Sequence, residues 1–354
     1  MIPSFSDPAA DWRGPCIGGH QTSERRTDMS ASSLPRRHFL GAAALLASPG
    51  LARAQGDWPS RPIRFIATGP AGGAGDVISR LVCERLTARL GQPVVVENRP
   101  GAGTNIGMAA IARSPADGYT IGLASIASNA VNRWLYKSLP FDPEKDVVPV
   151  SLMALTPNLM VVSPSLPVRN VAEFIAYAKS HPGSLNYGSV GSGSSQHLAG
   201  AQFALANGLD MQHVPYNNSG QLNTDMMEGR VQVLFQSVSA VAEMARSGRM
   251  RPLAVTGTER LDAFPEVPTL REAGVNITSM GWFGVVAPTG VPEPILEKLN
   301  AETVAALGEP DLRRRITELG SIPRPMTRVE FGRWMADETA KWRPVVQATG
   351  ATAD

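Results

Sequence analysis

Short apolar runs alternate with longer amphipathic runs from Asp57 to the C-terminus. That alternation predicts an α/β protein. A first strand is expected over 62–67, followed by the glycine-rich segment 69–75. A helix then follows in which Ile78, Val82, Leu86 and Leu90 recur at four-residue spacing, with Asp76 placed as its N-cap and Gly91 closing it. Strands at 94–97 and 119–124 frame a helix through 108–113. A long apolar stretch, 149–162, is broken by Thr156-Pro157-Asn158 and is long enough to run from one lobe into another.

A second series repeats the pattern: helix 171–180, strand 184–187, helix 195–207, strand 211–215, a helix ending near 228, strand 231–235, helix 240–247 and strand 251–256. The apolar run 282–287 then reads as a return crossing, followed by helices at 293–307, 311–319 and 328–347. Two crossings joining two α/β lobes make a hinged clamshell, with the loops at the C-terminal ends of the strands facing the gap.

Composition narrows the class. With 43% hydrophobic and 18% charged residues the chain has enough apolar material for two cores. The formal net charge of +2 comes from residues 1–54, which carry six Lys/Arg and four Asp/Glu. A neutral body argues against nucleic acid as a partner. Removal of the leader described below also removes Cys16, so Cys83 on an apolar helix has no disulfide partner and reads as a small buried hydrophobe. His181, His197 and His213 do not pair with other ligands at metal spacing, and no cofactor is called for.

The front end reads as an address. Arg36-Arg37 precedes the short apolar segment 42–47, and Ala52-Arg53-Ala54 precedes Gln55. This is the pattern of a twin-arginine signal occupying 29–54, with cleavage between Ala54 and Gln55 and export to the periplasm. The apolar segment is too short to span a bilayer. Residues 1–28 are expected to be a non-native upstream extension, with Met29 as the true start.

The candidate chemistry lies in two loops, 69–76 and 187–200. Each is rich in glycine, the second also in serine, and each leads into a helix. Such loops bring backbone N–H groups and the positive end of a helix dipole to a ligand. Neither loop contains Lys or Arg, so an anion held there is held by N–H groups and hydroxyls, an arrangement suited to a carboxylate. Ser192 or Ser194 with His197 as base would make a secreted hydrolase, but the spacing is not G-x-S-x-G and no acid stands in the loop to orient the imidazole. Dinucleotide and nucleotide-phosphate motifs are also incomplete. Asp76 has two readings, a helix cap worth about 1 kcal/mol or a ligand contact.

Several segments in order then resemble a known family: 57–63, Gly72-Gly73 with Asp76 and Arg80, 96–103, Asp117-Gly118-Tyr119-Thr120, Tyr187-Gly188-Ser189 through His197-Leu198-Ala199, His213-Val214-Pro215-Tyr216 and Pro265-x-Val267-Pro268-Thr269. Together they resemble the Bug (TctC) family, periplasmic solute-binding receptors of tripartite tricarboxylate transporters. The resemblance covers residue 57 to the C-terminus. It implies a periplasmic-binding-protein (Venus-flytrap) fold, each lobe a mixed, mainly parallel sheet flanked by helices, joined by two crossing strands. Lobe 1 is expected at 55–155 and 280–354, and lobe 2 at 156–279. It implies a monomeric receptor, no enzyme, that delivers a small carboxylate to a two-component membrane permease.

By motif position the resemblance implies ligand contacts at Ala71, Gly72, Gly73, Asp76, Ser125, Ser128, Gly191, Ser192, Gly193, Ser194 and His197, with Tyr216 and Ser219 as a second tier. The chain departs from the family at Asn217-Asn218, where the family has Lys-Gly, and at Gln232 and Gln236, where aspartates are usual. These amides open the ligand class to less charged or partly aromatic carboxylates beside citrate. A sensor that hands its signal to a kinase is the variant reading within binding proteins.

Overall fold

The structure, a computed structural model, describes residues 58–216, 218–350 and 352–353. The expected upstream extension, leader and cleavage site lie outside the described residues. Strands and helices alternate as the sequence pattern predicts. They run β1 (Ile63–Ala67), α1 (Ala74–Leu90), β2 (Val94–Asn98), α2 (Asn105–Ala112), β3 (Thr120–Ser125), α3 (Asn132–Leu135) and β4 (Val147–Val162). The second series is α4 (Val171–Ser180), β5 (Leu185–Ser189), α5 (Ser195–Asn207), β6 (Met211–Pro215), α6 (Ser219–Met227), β7 (Val233–Ser237), α7 (Val238–Arg246) and β8 (Arg251–Val255). The chain ends with β9 (Met280–Pro288), α8 (Glu293–Gly308), α9 (Pro310–Glu318), β10 (Ile322–Pro323) and α10 (Arg328–Thr349).

In the first lobe β2, β1 and β3 are parallel, and β9 continues the sheet antiparallel to β3. In the second lobe β6, β5 and β7 are parallel. β4 belongs to both lobes. Up to Pro157 it pairs antiparallel with β9, and from Asn158 it pairs antiparallel with β7 and β8. The break expected at 156–158 is therefore a change of partner within one continuous strand. Proline is tolerated there because the ladder is switching and one N–H can be given up.

Each sheet is covered on both faces, which gives four apolar clusters. The helix spacing read from the sequence places Ile78, Val82, Leu86 and Leu90 in the first of them. Cys83 is buried there too, and burial pushes its thiol upward, out of the reactive range. The second cluster crosses the seam between lobes: Leu198 and Ala201 of α5 pack with Leu135, Trp282, Phe331 and Trp342. Helix α10 starts from a full capping box, Thr327 with Glu330, and its fully buried Trp342 donates to Glu338 at 2.8 Å.

The sequence pattern does not show α3 or the two-residue β10, whose partner is Ala154-Leu155 of β4. Helix α7 begins at Val238, directly after β7, and not at 240. The shift puts Gln236 and Ser237 at a strand-to-helix junction.

Trp342→Ala is expected to lower stability by about 3 to 5 kcal/mol through loss of buried aromatic area and the cavity it leaves. Urea denaturation of the variant measures this, and a cost below about 1 kcal/mol would contradict the packing of α10 on the seam.

A candidate carboxylate site between two helix N-termini

The C-terminal ends of β1, β3, β5 and β7 converge on one cavity of about 710 Å³. Its walls come from both lobes: Thr68 to Asp76 apart from Ala71, Gly103-Thr104 and Leu123 to Ala127 apart from Ala124 on one side, Val190 to Gln196 apart from Gly191 and Gly193, Ser219, and Gln236 to Ala240 apart from Val238 on the other. Thr156 and Asn158 of β4 and Gly281 to Phe283 of β9 form the floor where the lobes join.

The first loop turns on Gly72, whose φ of +77° is a conformation that glycine adopts without strain. Gly73 is the N-cap of α1, and no side chain caps that end. Asp76 is therefore not the N-cap expected from the sequence. It lies in the first turn, where its carboxylate accepts from Gly72 N (2.9 Å), Arg80 Nε (3.1 Å) and Asn98 Nδ2 (2.8 Å). Burial pushes its pKa up, but the bonds from Arg80, Gly72 and Asn98 outweigh burial and hold the carboxyl below the usual range. The acid is thus spent on bracing the loop. The N–H groups of Ala74, Gly75 and Asp76, all on the cavity wall, have no acceptor among the described residues.

The second loop is braced in a similar way. Ser194 caps α5 by accepting from His197 N (3.3 Å) and donates its own hydroxyl to Gly191 O (2.7 Å). His197 Nδ1 accepts from Gly193 N at 3.1 Å, which assigns the imidazole proton to Nε2. The ring is 2% exposed, and the tilted ring of His213, 4.1 Å away, lies between it and Tyr187. His213 Nε2 and Ser189 Oγ lie 2.7 Å apart, and Ser189 in turn accepts from Gly191 N. The N–H groups of Ser192, Ser195 and Gln196 have no acceptor among the described residues, and all three residues line the cavity.

Of the residues expected at the ligand, Gly72, Gly73, Asp76, Ser125, Ser192, Ser194 and Ser219 lie on the cavity wall. Ala71, Ser128, Gly191, Gly193, His197 and Tyr216 are not on it. Ser128 bonds to Ser125 and Asn129 behind the wall. The Tyr216 hydroxyl donates to Asp225 at 2.7 Å. Gly193 has φ +80°, and a Cβ there would lie 2.6 Å from Leu135 of the opposite lobe. A side chain at 193 therefore meets the other lobe at Leu135.

Sequence reasoning missed Thr104, Thr156, Asn158, Ser237, Ser239, Trp282 and Phe283, all on the wall. No local motif marks them, because four separate chain segments bring them together. Gln236 is on the wall, whereas Gln232 is used structurally, its amide bonding Asn186 N and Gly229 O.

Among the described residues no Lys, Arg or His is on the wall, and the one ionisable group there, Asp76, is already paired. The arrangement offers backbone N–H groups, hydroxyls and two helix N-termini to an anion. Among the described residues, no serine hydroxyl on the wall bonds the His197 ring, whose Nδ1 accepts from Gly193 N.

Burial lowers the pKa of His197 to about 4, and burial with the neighbouring His197 lowers that of His213 to about 3. Both imidazoles are neutral in the folded protein but take up protons below about 6.5 once unfolded. Stability is then complete above that pH and falls as pH drops toward 4, by on the order of 3 kcal/mol for His197 alone. Denaturation midpoints across this range test it, and a profile flat from pH 7 to about 4 would contradict the buried neutral pair.

The family model described as tripartite tricarboxylate transporter family receptor, TctC, matches residues 78–351. BugT of Bordetella pertussis is 36% identical over 296 residues, 83% of this chain and 91% of that protein. A Pseudomonas protein encoded between tcbD and tcbE is 34% identical over 89% of this chain and 95% of its own length. Among solved structures, Rpa4515 of R. palustris with adipate has a TM-score of 0.76 at 35% identity, covering 84% of this chain and 99% of that one. MatC of Rhodopseudomonas palustris, with bound malate, has a TM-score of 0.71 at 30% identity, covering 81% and 99%. With its two-lobed fold and the match over most of its length, the chain belongs to the TctC (Bug) family of periplasmic solute-binding receptors, which are not enzymes.

Proposed function

We propose that this receptor captures a small carboxylate between the N-termini of α1 and α5 and closes its two lobes, 55–155 with 280–354 and 156–279, around it. The observation that carries the reading is the pair of helix ends with unpaired N–H groups facing one cavity that has no cation. Adipate and malate in the related structures support the ligand class. Gly72, Gly73, Ser192 and Ser194 shape the two loops that meet the carboxylate. Asp76 and His197 act on it indirectly, by holding Gly72 N and Gly193 N. Ser125 and Ser219 complete the wall, with Ser128 behind Ser125.

The bound receptor then delivers its ligand, as a monomer, to a two-component membrane permease of the tripartite tricarboxylate type. Closure needs a ligand that favours the shut state over the open one. The leader at 29–54 takes the protein to the periplasm by the twin-arginine route, with Met29 as the start.

A panel of mono-, di- and tricarboxylates, aromatic acids, amino acids and neutral sugars, screened by thermal melting of the purified protein, tests the ligand class. A cognate carboxylate at about 100 times its Kd is expected to add roughly 2.7 kcal/mol. A shift with a sugar and none with any acid would overturn the reading. Sequencing the N-terminus of the exported protein is expected to begin at Gln55, and Met1 recovered from the periplasm would refute the leader assignment.

A further inference from the structure

At three glycines the backbone of one lobe approaches the other more closely than a Cβ permits. A Cβ at Gly193 would lie 2.6 Å from Leu135 Cδ1, and one at Gly320 would lie 2.6 Å from Val238 Cβ. A Cβ at Gly281 would lie 2.5 Å from Thr156 Oγ1, its partner residue in β4, and 3.2 Å from Ser195 Cβ. Gly193, Ser195 and Val238 belong to the second lobe, and Leu135, Gly281 and Gly320 to the first.

Backbone conformation alone does not account for Gly320. It follows α9 with φ +73°, as glycine commonly does after a helix. Gly91, Gly208 and Gly350 end α1, α5 and α10 in the same way, with φ of +70°, +61° and +60°. A Cβ at any of those three would have nothing within 4 Å. Gly320 differs from them in meeting Val238, the first residue of α7, across the seam.

The contacts lie on both faces of the continuous sheet. In β4, Leu159 and Val161 belong to the apolar cluster that holds Val238, whereas Met160 and Val162 belong to the one that holds Ala199 and Phe203 of α5. Alternate residues of a strand face opposite sides, so α5 and α7 cover opposite faces. β9 divides likewise: Val285 is in the cluster that Leu319 joins, and Val286 is in the one that holds Leu135. One contact would leave the lobes free to rock, whereas Gly193 on Leu135 and Gly320 on Val238 fix the angle from both sides.

We propose that these three glycines are the stops on which the lobes come to rest when the cleft shuts. Gly320 is not on the cavity wall, so it acts as a positioning residue that governs capture without touching the ligand. A side chain at a stop depopulates the shut arrangement, and apparent affinity falls in proportion. The inference rests on the closing motion proposed above and not on the identity of the ligand.

The test uses Gly320→Asn and Gly193→Asn, because asparagine tolerates a left-handed backbone and supplies the missing Cβ. Gly91→Asn makes the same backbone demand in open space and is the control. Spin labels on Ala176→Cys of α4 and Ala301→Cys of α8, both exposed, report the distance between lobes by pulsed electron paramagnetic resonance, in protein that carries Cys16→Ser and whose Cys83 is buried. With adipate as the probe, wild type and Gly91→Asn are expected to share one short-distance population. Gly320→Asn and Gly193→Asn are expected to shift to longer distances and to bind adipate about tenfold or more weakly by calorimetry. Leu135→Ala removes the atom that Gly193→Asn meets, and adding it is expected to restore the short distance, which it would not do for a general folding defect. Thermal melts report folding, and Gly320→Ala and Gly193→Ala, which add the Cβ alone, replace a variant that does not fold. Folded variants that keep the wild-type distance with and without adipate would overturn the inference, as would a Gly193→Asn shift that Leu135→Ala leaves in place. Failure of adipate to bind any of the proteins bears on the carboxylate reading alone. The ligand-free distances then decide: longer ones in the stop variants support the inference, and coincident ones overturn it.

Discussion

The rest of the structure depends on one strand that serves two sheets. β4 pairs with β9 as far as Pro157 and with β7 and β8 from Asn158. That change of partner sets the parallel strands of each lobe with their C-terminal ends toward a common gap. Parallel strands lead into helices at those ends, so the gap receives helix N-termini. The electrostatic character of the cavity is thus a consequence of topology. It needs no lysine or arginine on the wall, and among the described residues the wall has none.

Buried polar side chains then convert that general property into particular loop shapes. Asp76 draws Gly72 N, Arg80 and Asn98 into one network, and His197 accepts from Gly193 N beneath the second loop. Both groups sit beside the ligand space while their own hydrogen-bonding capacity is directed at the protein. Their removal would leave loop N–H groups without acceptors and so alter the cavity through its supports. Apolar packing complements them at the seam, where Leu198 and Ala201 meet Trp282 and Trp342, and where Gly193 lies against Leu135. The lobes therefore touch through apolar side chains, of which Trp282 also lines the cavity.

The sequence by itself determined the order and type of nearly all the long elements, because helical four-residue spacing and short apolar runs survive in any tertiary context. It also determined that the two glycine-rich loops precede helices and lack cations. It did not reveal that Pro157 in β4 marks a change of partner, since a local pattern shows the missing N–H and not the neighbouring strand. Asp76 illustrates the same limit: an acid before a helical run reads as a cap, and only the position of Gly72 N and Asn98 shows it one turn further in. Which residues share the cavity was decided by tertiary structure alone. Thr104, Asn158, Gln236 and Trp282 come from segments far apart in the chain, and their side chains meet because two sheets share β4. Spacing along a chain cannot encode that meeting, since the distance between two walls of a cleft is set by the strand that joins them.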